Sequence, residues 1–156
     1  MSAALKNPFK ATVIASVNEL DKLLITLKDE QAALTGRQPE ALEQAVKRKL
    51  EILRELEHGV KARDQILKQA GFKDGLQGSE QFIRQHFSPE EILGDWKRLV
   101  SLSREVDKIN THNGKLAASG ERTTRQALGI LTGRSNEPST YARKRKRTGV
   151  LAPGVT

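Results

Sequence analysis

A chain of 156 residues with a net charge of +8, only 4% aromatic residues and no cysteine is about one domain long and has few rings from which to build a globular core. The missing cysteines exclude disulfides, thiolate zinc sites and cysteine nucleophiles, and fit a reducing compartment. No run approaches the roughly 18 apolar residues of a membrane span, and the opening MSAALKNPFKATV lacks the apolar core of an export signal, so the expectation is a soluble, cytoplasmic protein built from elongated helices.

The first helix is announced by Val13, Val17, Leu20, Leu24, Leu27 and Leu34, with Gln31 in the one gap. These positions alternate four and three apart, as in a coiled-coil seam. Ile14 and Leu23 widen the stripe toward a bundle face, and Gly36 is placed to end the helix in the left-handed conformation. A second helix is expected to start at Pro39, whose fixed φ suits a first turn, and to be capped at Gly71. Its stripe reads Leu42, Val46, Leu53, Leu56, Val60 and Leu67, while Lys49 and Arg63 occupy the missing seam positions. That substitution predicts a local shift of the stripe toward Leu50 and Ile66, with the basic stems at its margin. Gly59 weakens the run by roughly 1 kcal/mol and permits a bend. The short link from Gly36 to Pro39 forces the two helices to lie antiparallel.

Residues 71–79, GFKDGLQGS, read as a glycine-rich loop before a short amphipathic turn, EQFIRQHF, whose Phe82, Ile83 and Phe87 cover one end of the bundle. The loop is not a phosphate cradle, because no Lys followed by Ser or Thr comes after its last glycine. The third long helix opens at SPEE, with Ser88 as N-cap, Pro89 in the first position and Glu91 completing a capping box. Its seam runs through Ile92, Trp96, Leu99, Ser103, Val106, Asn110, Asn113, Ala117, Gly120, Thr124, Ala127 and Leu131. The spacing persists while the side chains become small and polar.

That decay predicts a marginal helix over 115–133, which orders only by packing against the first two helices or a partner's helix. Residues 134–156 are expected to be a disordered tail with six Lys or Arg and one Glu, which accounts for five of the eight net charges. The expected fold is therefore all-α: an elongated antiparallel bundle or coiled coil of three long helices over 1–133, followed by the basic tail.

Catalytic and metal chemistry find no motif. His58, His86 and His112 are far apart and have no metal-ligand spacing, and the adjacent Glu90 and Glu91 are explained by a helix N-terminus. No serine stands in a nucleophile-elbow pattern. Trp96 reads as a large core knob. Asn110 and Asn113 allow two readings: amides in a seam fix register and partner, or they hydrogen-bond another chain's backbone. Tyr141, followed by Arg143, Lys144, Arg145, Lys146 and Arg147, is either an exposed ring or a short docking peptide. The same five cations allow phosphate contact, so a helical nucleic-acid binder using its tail is the alternative function.

A long helical hairpin, a third helix running into INTHNGKL, the weak segment TTRQALGILTG and a tyrosine-containing tail together resemble the FlgN family of flagellar export chaperones. The residues that carry the resemblance are Asn110, Asn113, Gly114, Leu116, Leu128, Leu131 and Tyr141. It implies a cytoplasmic binding protein, without enzymatic activity, cofactor, metal or small-molecule substrate. Such a protein holds the C-terminal helical segments of the two hook-filament junction proteins and prevents their assembly before secretion. The implied client contacts here are Asn110, Asn113, Gly114, Leu116, Ala117, Thr124, Leu128 and Leu131. Tyr141 is the implied docking residue for the cytoplasmic domain of the export gate, with the cations of 143–147 as electrostatic steering. The chain departs from the family's usual tyrosine-glycine ending by continuing with ARKRKRTG.

Overall fold

The computed structural model describes residues 2–117, and within them all regular structure is helical. The elements are α1 (Ser2–Thr35), α2 (Pro39–Ala70), α3 (Gly75–His86) and α4 (Pro89–Leu116). The three long helices of the expected bundle are present, with α2 antiparallel to α1 and α4 parallel to it. The bulk of the expected marginal helix and the whole tail, from residue 118 onward, lie outside the described residues.

α1 starts well before Val13, because Leu5 and Phe9 extend its apolar stripe toward the N-terminus. Pro8 lies inside it, which removes one backbone donor and costs about 3 kcal/mol. Phe9 is completely buried against Phe82 at 4.8 Å and Phe87 at 6.0 Å, and a buried phenylalanine contributes about 3–5 kcal/mol, enough to offset the proline. The buried face does not keep the strict four-three alternation. Leu23, Glu30 and Ala33 are buried, whereas Leu24, Gln31 and Leu34 are half-buried and Ile14 is exposed. This is the drift expected of a straight helix with 3.6 residues per turn instead of 3.5.

The turn after α1 also differs from expectation. Gln38 N donates to Ala33 O and Arg37 N to Leu34 O, the bonding pattern of a Schellman cap. In that pattern the left-handed residue is Arg37, at φ 53°, and not Gly36. At the end of α2 the same pattern recurs with a glycine in the left-handed place: Gly71, at φ 84°, donates to Lys68 O, and Phe72 N to Leu67 O.

Lys49 and Arg63 are the main correction in α2. Both are buried within the seam, while Leu50 is exposed and Ile66 half-buried, so the stripe does not shift around the cations. The reason lies in the packing: α1 packs along both α2 and α4, whereas the α2 and α4 backbones hardly approach one another. Long side chains span that wider gap. Lys49 reaches Asn110 on α4, and Arg63 lies over the Trp96 ring at 5.5 Å. Gly59 serves the other side, since a Cβ there would stand 3.3 Å from Ser16 Oγ on α1.

α3 begins earlier than the glycine content suggested. Gly75 takes φ 81° and donates its N–H to Asp64 Oδ1 at 3.1 Å, which anchors the helix start to α2. At Gly78 a Cβ would fall 1.6 Å from Lys73 O, so only glycine fits there. As expected, Phe82 and Ile83 are buried and Phe87 half-buried at one end of the bundle, and Phe72 and His86 join the cluster. The capping box of α4 forms as predicted, with Ser88 N donating to Glu91 Oε2 at 2.7 Å. Among the described residues, no helix is long and apolar enough to cross a membrane.

Candidate functional site

α4 continues through Gly114 to Leu116, and the last two turns hold every described residue of the expected client site. Asn110 and Asn113 are buried, Gly114 and Ala117 half-buried, and Leu116 is 51% exposed. Thr124, Leu128, Leu131, Tyr141, Arg143, Lys144, Arg145, Lys146 and Arg147 lie outside the described residues.

The two asparagines point inward. Asn113 Nδ2 donates to Leu27 O and to Glu30 Oε1, each at 2.9 Å, while Glu30 Oε2 accepts from Lys49 Nζ at 2.7 Å. Lys49 Nζ also lies 3.5 Å from Asn110 Oδ1. One buried carboxylate thus joins all three long helices, with Lys49 from α2 on one oxygen and Asn113 from α4 on the other. Of the two readings open for these amides, the observed bonds are those of a register device. A slip of α4 by one turn against α1 would leave Glu30 and Leu27 O without these donors.

The layer is internally neutral, which makes its burial tolerable. A lysine moved out of water costs several kcal/mol unless a carboxylate and further hydrogen bonds accompany it. Asn110 Nδ2 and Asn113 Oδ1 remain without a hydrogen-bond partner among the described residues. Sequence reading missed Glu30 and misplaced Lys49. The available signal was the coincidence of a cation in the α2 seam with two amides in the α4 seam, both of which need a buried polar partner.

A second polar layer lies nearer the α3 end. There Arg63 is 1% exposed, and among the described residues its Nε and Nη1 have no hydrogen-bond partner and neither has Ser16 Oγ, while Ser103 Oγ donates to Leu99 O at 2.8 Å. Burial pushes the Arg63 guanidinium below its ordinary pKa, and the neighbouring Asp64 opposes that shift. The face of Trp96 supplies attraction without accepting a hydrogen bond in the ordinary sense. Trp96 Nε1 donates to Glu80 Oε2 at 3.3 Å, so its ring is held by α2 on one side and α3 on the other.

Surface ion pairs complete the arrangement. Lys6 meets Glu91 at 3.1 Å and Arg98 meets Asp21 at 2.9 Å, both between α1 and α4, and Arg48 meets Asp29 at 3.4 Å between α1 and α2. Among the described residues no group of three or more His, Cys, Asp or Glu is placed to hold a metal ion.

A family model described as FlgN protein matches residues 6–149. A solved structure described as a flagella synthesis protein FlgN from Pseudomonas aeruginosa is 26% identical, with a TM-score of 0.68 over 78% of this chain and 93% of that one. No curated protein matches.

Proposed function

The chain belongs to the FlgN family, and from that premise we propose that it is a cytoplasmic flagellar export chaperone, which binds the C-terminal helical segments of the hook-filament junction proteins and delivers them to the export gate. The observation that carries the reading is the family match through residue 149, which takes in the weak segment and Tyr141. The geometry of α4 agrees with it. Glu30 and Lys49 hold Asn110 and Asn113 in the core, so the end of α4 is a fixed platform, and Leu116 stands exposed where the chain leaves it.

In this proposal the asparagines act indirectly, by positioning the platform, and the apolar contacts to client come from Leu116, Leu128 and Leu131, with Gly114, Ala117 and Thr124 allowing close approach. A client amphipathic helix would bury leucines that neither partner buries alone. Tyr141 would engage the gate, and Arg143, Lys144, Arg145, Lys146 and Arg147 would speed the encounter with an acidic surface.

Calorimetric titration with the C-terminal segment of a junction protein tests the reading. The full chain should bind, and Leu128→Glu with Leu131→Glu should weaken binding by more than about 100-fold, since each substitution removes a buried side chain of about 1.5–3 kcal/mol. Unchanged affinity in the double variant would remove the proposed surface. No binding by the parent chain would remove the chaperone assignment itself.

A further inference from the structure

The outward face of α4 carries a second, unassigned stripe. Lys97, Ser101, Arg104, Lys108, Thr111 and Lys115 follow one another at four-three-four-three-four spacing, the same repeat as the core seam on the opposite side. All are exposed except the half-buried Thr111, and the stripe contains no Asp or Glu over a length of about 27 Å. None of its four cations forms an ion pair among the described residues, and all four lie on one face of one helix. An unpaired stripe at heptad spacing matches the geometry of another helix laid alongside.

A concavity of about 300 Å³ opens beside the start of this stripe, lined by Glu80, Trp96, Lys97, Val100, Ser101 and Arg104. Its apolar floor is Trp96 and the half-buried Val100. The floor is rigid, because the indole is fixed by Arg63 and by its hydrogen bond to Glu80. It therefore offers a preformed seat for one large apolar side chain, with Lys97 and Arg104 at its rim on the α4 side and the Glu80 carboxylate, held by the indole N–H, on the α3 side.

We propose that this face of α4 is a docking surface for an acidic amphipathic helix of a partner protein, which inserts an apolar side chain against Trp96 and Val100 and sets its carboxylates along Lys97, Arg104 and Lys108. None of the residues involved, Trp96, Lys97, Val100, Arg104 and Lys108, is among the proposed client contacts. The chain's own C-terminal segment is the wrong occupant by charge: residues 118–156 carry eight Lys or Arg and only Glu121 and Glu137 as acids. A flat anionic surface would bring the stripe's attraction but leave the concavity empty.

Trp96 is the only tryptophan of the chain, so its fluorescence reports the seat directly. The probe is an alanine-based helical peptide of about 20 residues with glutamates along one face and a central leucine, titrated into the full-length protein. Saturable binding with a change in Trp96 emission is expected. Lys97→Glu combined with Arg104→Glu should weaken it at least tenfold with an unchanged circular dichroism spectrum, and replacing the peptide's leucine by serine should abolish the emission change. Replacing the five cations of 143–147 by serine should leave both intact. The proposal is overturned if the charge reversals leave affinity unchanged, or if the serine peptide binds as well as the leucine peptide. It is equally overturned if phosphatidylserine vesicles, an oligonucleotide or a second copy of the chain binds through Lys97 and Arg104 while the peptide does not.

Discussion

Lys49 and Arg63 stand two heptads apart in the same seam of the same helix, yet the core treats them in opposite ways. Lys49 has a carboxylate at 2.7 Å, and that carboxylate is bonded in turn by α4. Arg63 has an aromatic face at 5.5 Å and two nitrogens with no acceptor among the described residues. The contrast teaches that a buried cation is not one kind of interaction. The first layer specifies which part of α4 meets which part of α1, whereas the second fills a wide gap between α2 and α4 with a long, flat side chain.

The largest effect should come from breaking the paired layer. Glu30→Ala leaves the Lys49 ammonium buried without its counter-charge and removes an acceptor from Asn113, so a loss of about 3–5 kcal/mol is expected in urea unfolding. A loss below about 1 kcal/mol would mean that water already reaches Lys49. Arg63→Met should behave differently, because it deletes two unsatisfied donors and keeps an apolar stem against Trp96. Stability equal to the parent, or higher by about 1–2 kcal/mol, is expected in the same measurement. A loss as large as that of Glu30→Ala would erase the distinction between the layers.

The same contrast recurs, on a smaller scale, in the backbone caps. Gly71 takes its left-handed conformation freely, whereas Arg37 adopts it against its Cβ. Arg37→Gly should therefore raise the thermal midpoint, with a gain of about 0.5–1 kcal/mol. Unchanged or lower stability would show that the Arg37 side chain contributes more than the strain costs.

The smallest effect belongs to the exposed counterpart of Glu30. The Glu91 carboxyl is held down to about 2 from its usual 4.5, first by the Ser88 backbone N–H and then by Lys6 and the Ser88 hydroxyl. A carboxylate with a depressed folded-state pKa contributes stability that is fully present above its unfolded value and is lost as pH falls through the folded one. The contribution should therefore disappear between pH 4.5 and about 2, and Glu91→Gln should flatten the stability profile in that window. A profile identical to the parent's would show that the capping box is already open in solution.

Much of the bundle was legible because it is local. Ser88, Pro89 and Glu91 specify the start of α4 within four residues, Pro39 and Gly71 bracket α2, and the apolar spacing marks three long helices. The misreadings share a different cause. The burial of Leu23 and Glu30 depends on how a straight α1 drifts while it packs between two neighbours. The inward turn of Lys49 and Arg63 depends on the separation of α2 and α4, which no spacing within α2 encodes. The start of α3 at Gly75 depends on Asp64, eleven residues earlier, accepting its N–H.

For the candidate site the division is similar. The sequence singled out Asn110 and Asn113 as amides that a seam would not hold without partners, but Glu30 gave no comparable signal, since a glutamate one place off the strict seam reads as a solvated side chain. The sequence by itself determined an all-helical chain, the caps and most of the apolar stripe, because these follow from backbone preferences and periodicity within a few turns. Only the tertiary structure decided which polar side chains enter the core. That depends on whether residues distant in sequence, Glu30, Lys49 and Asn113 above all, arrive within hydrogen-bond reach, and desolvating a charge is tolerable only where they do.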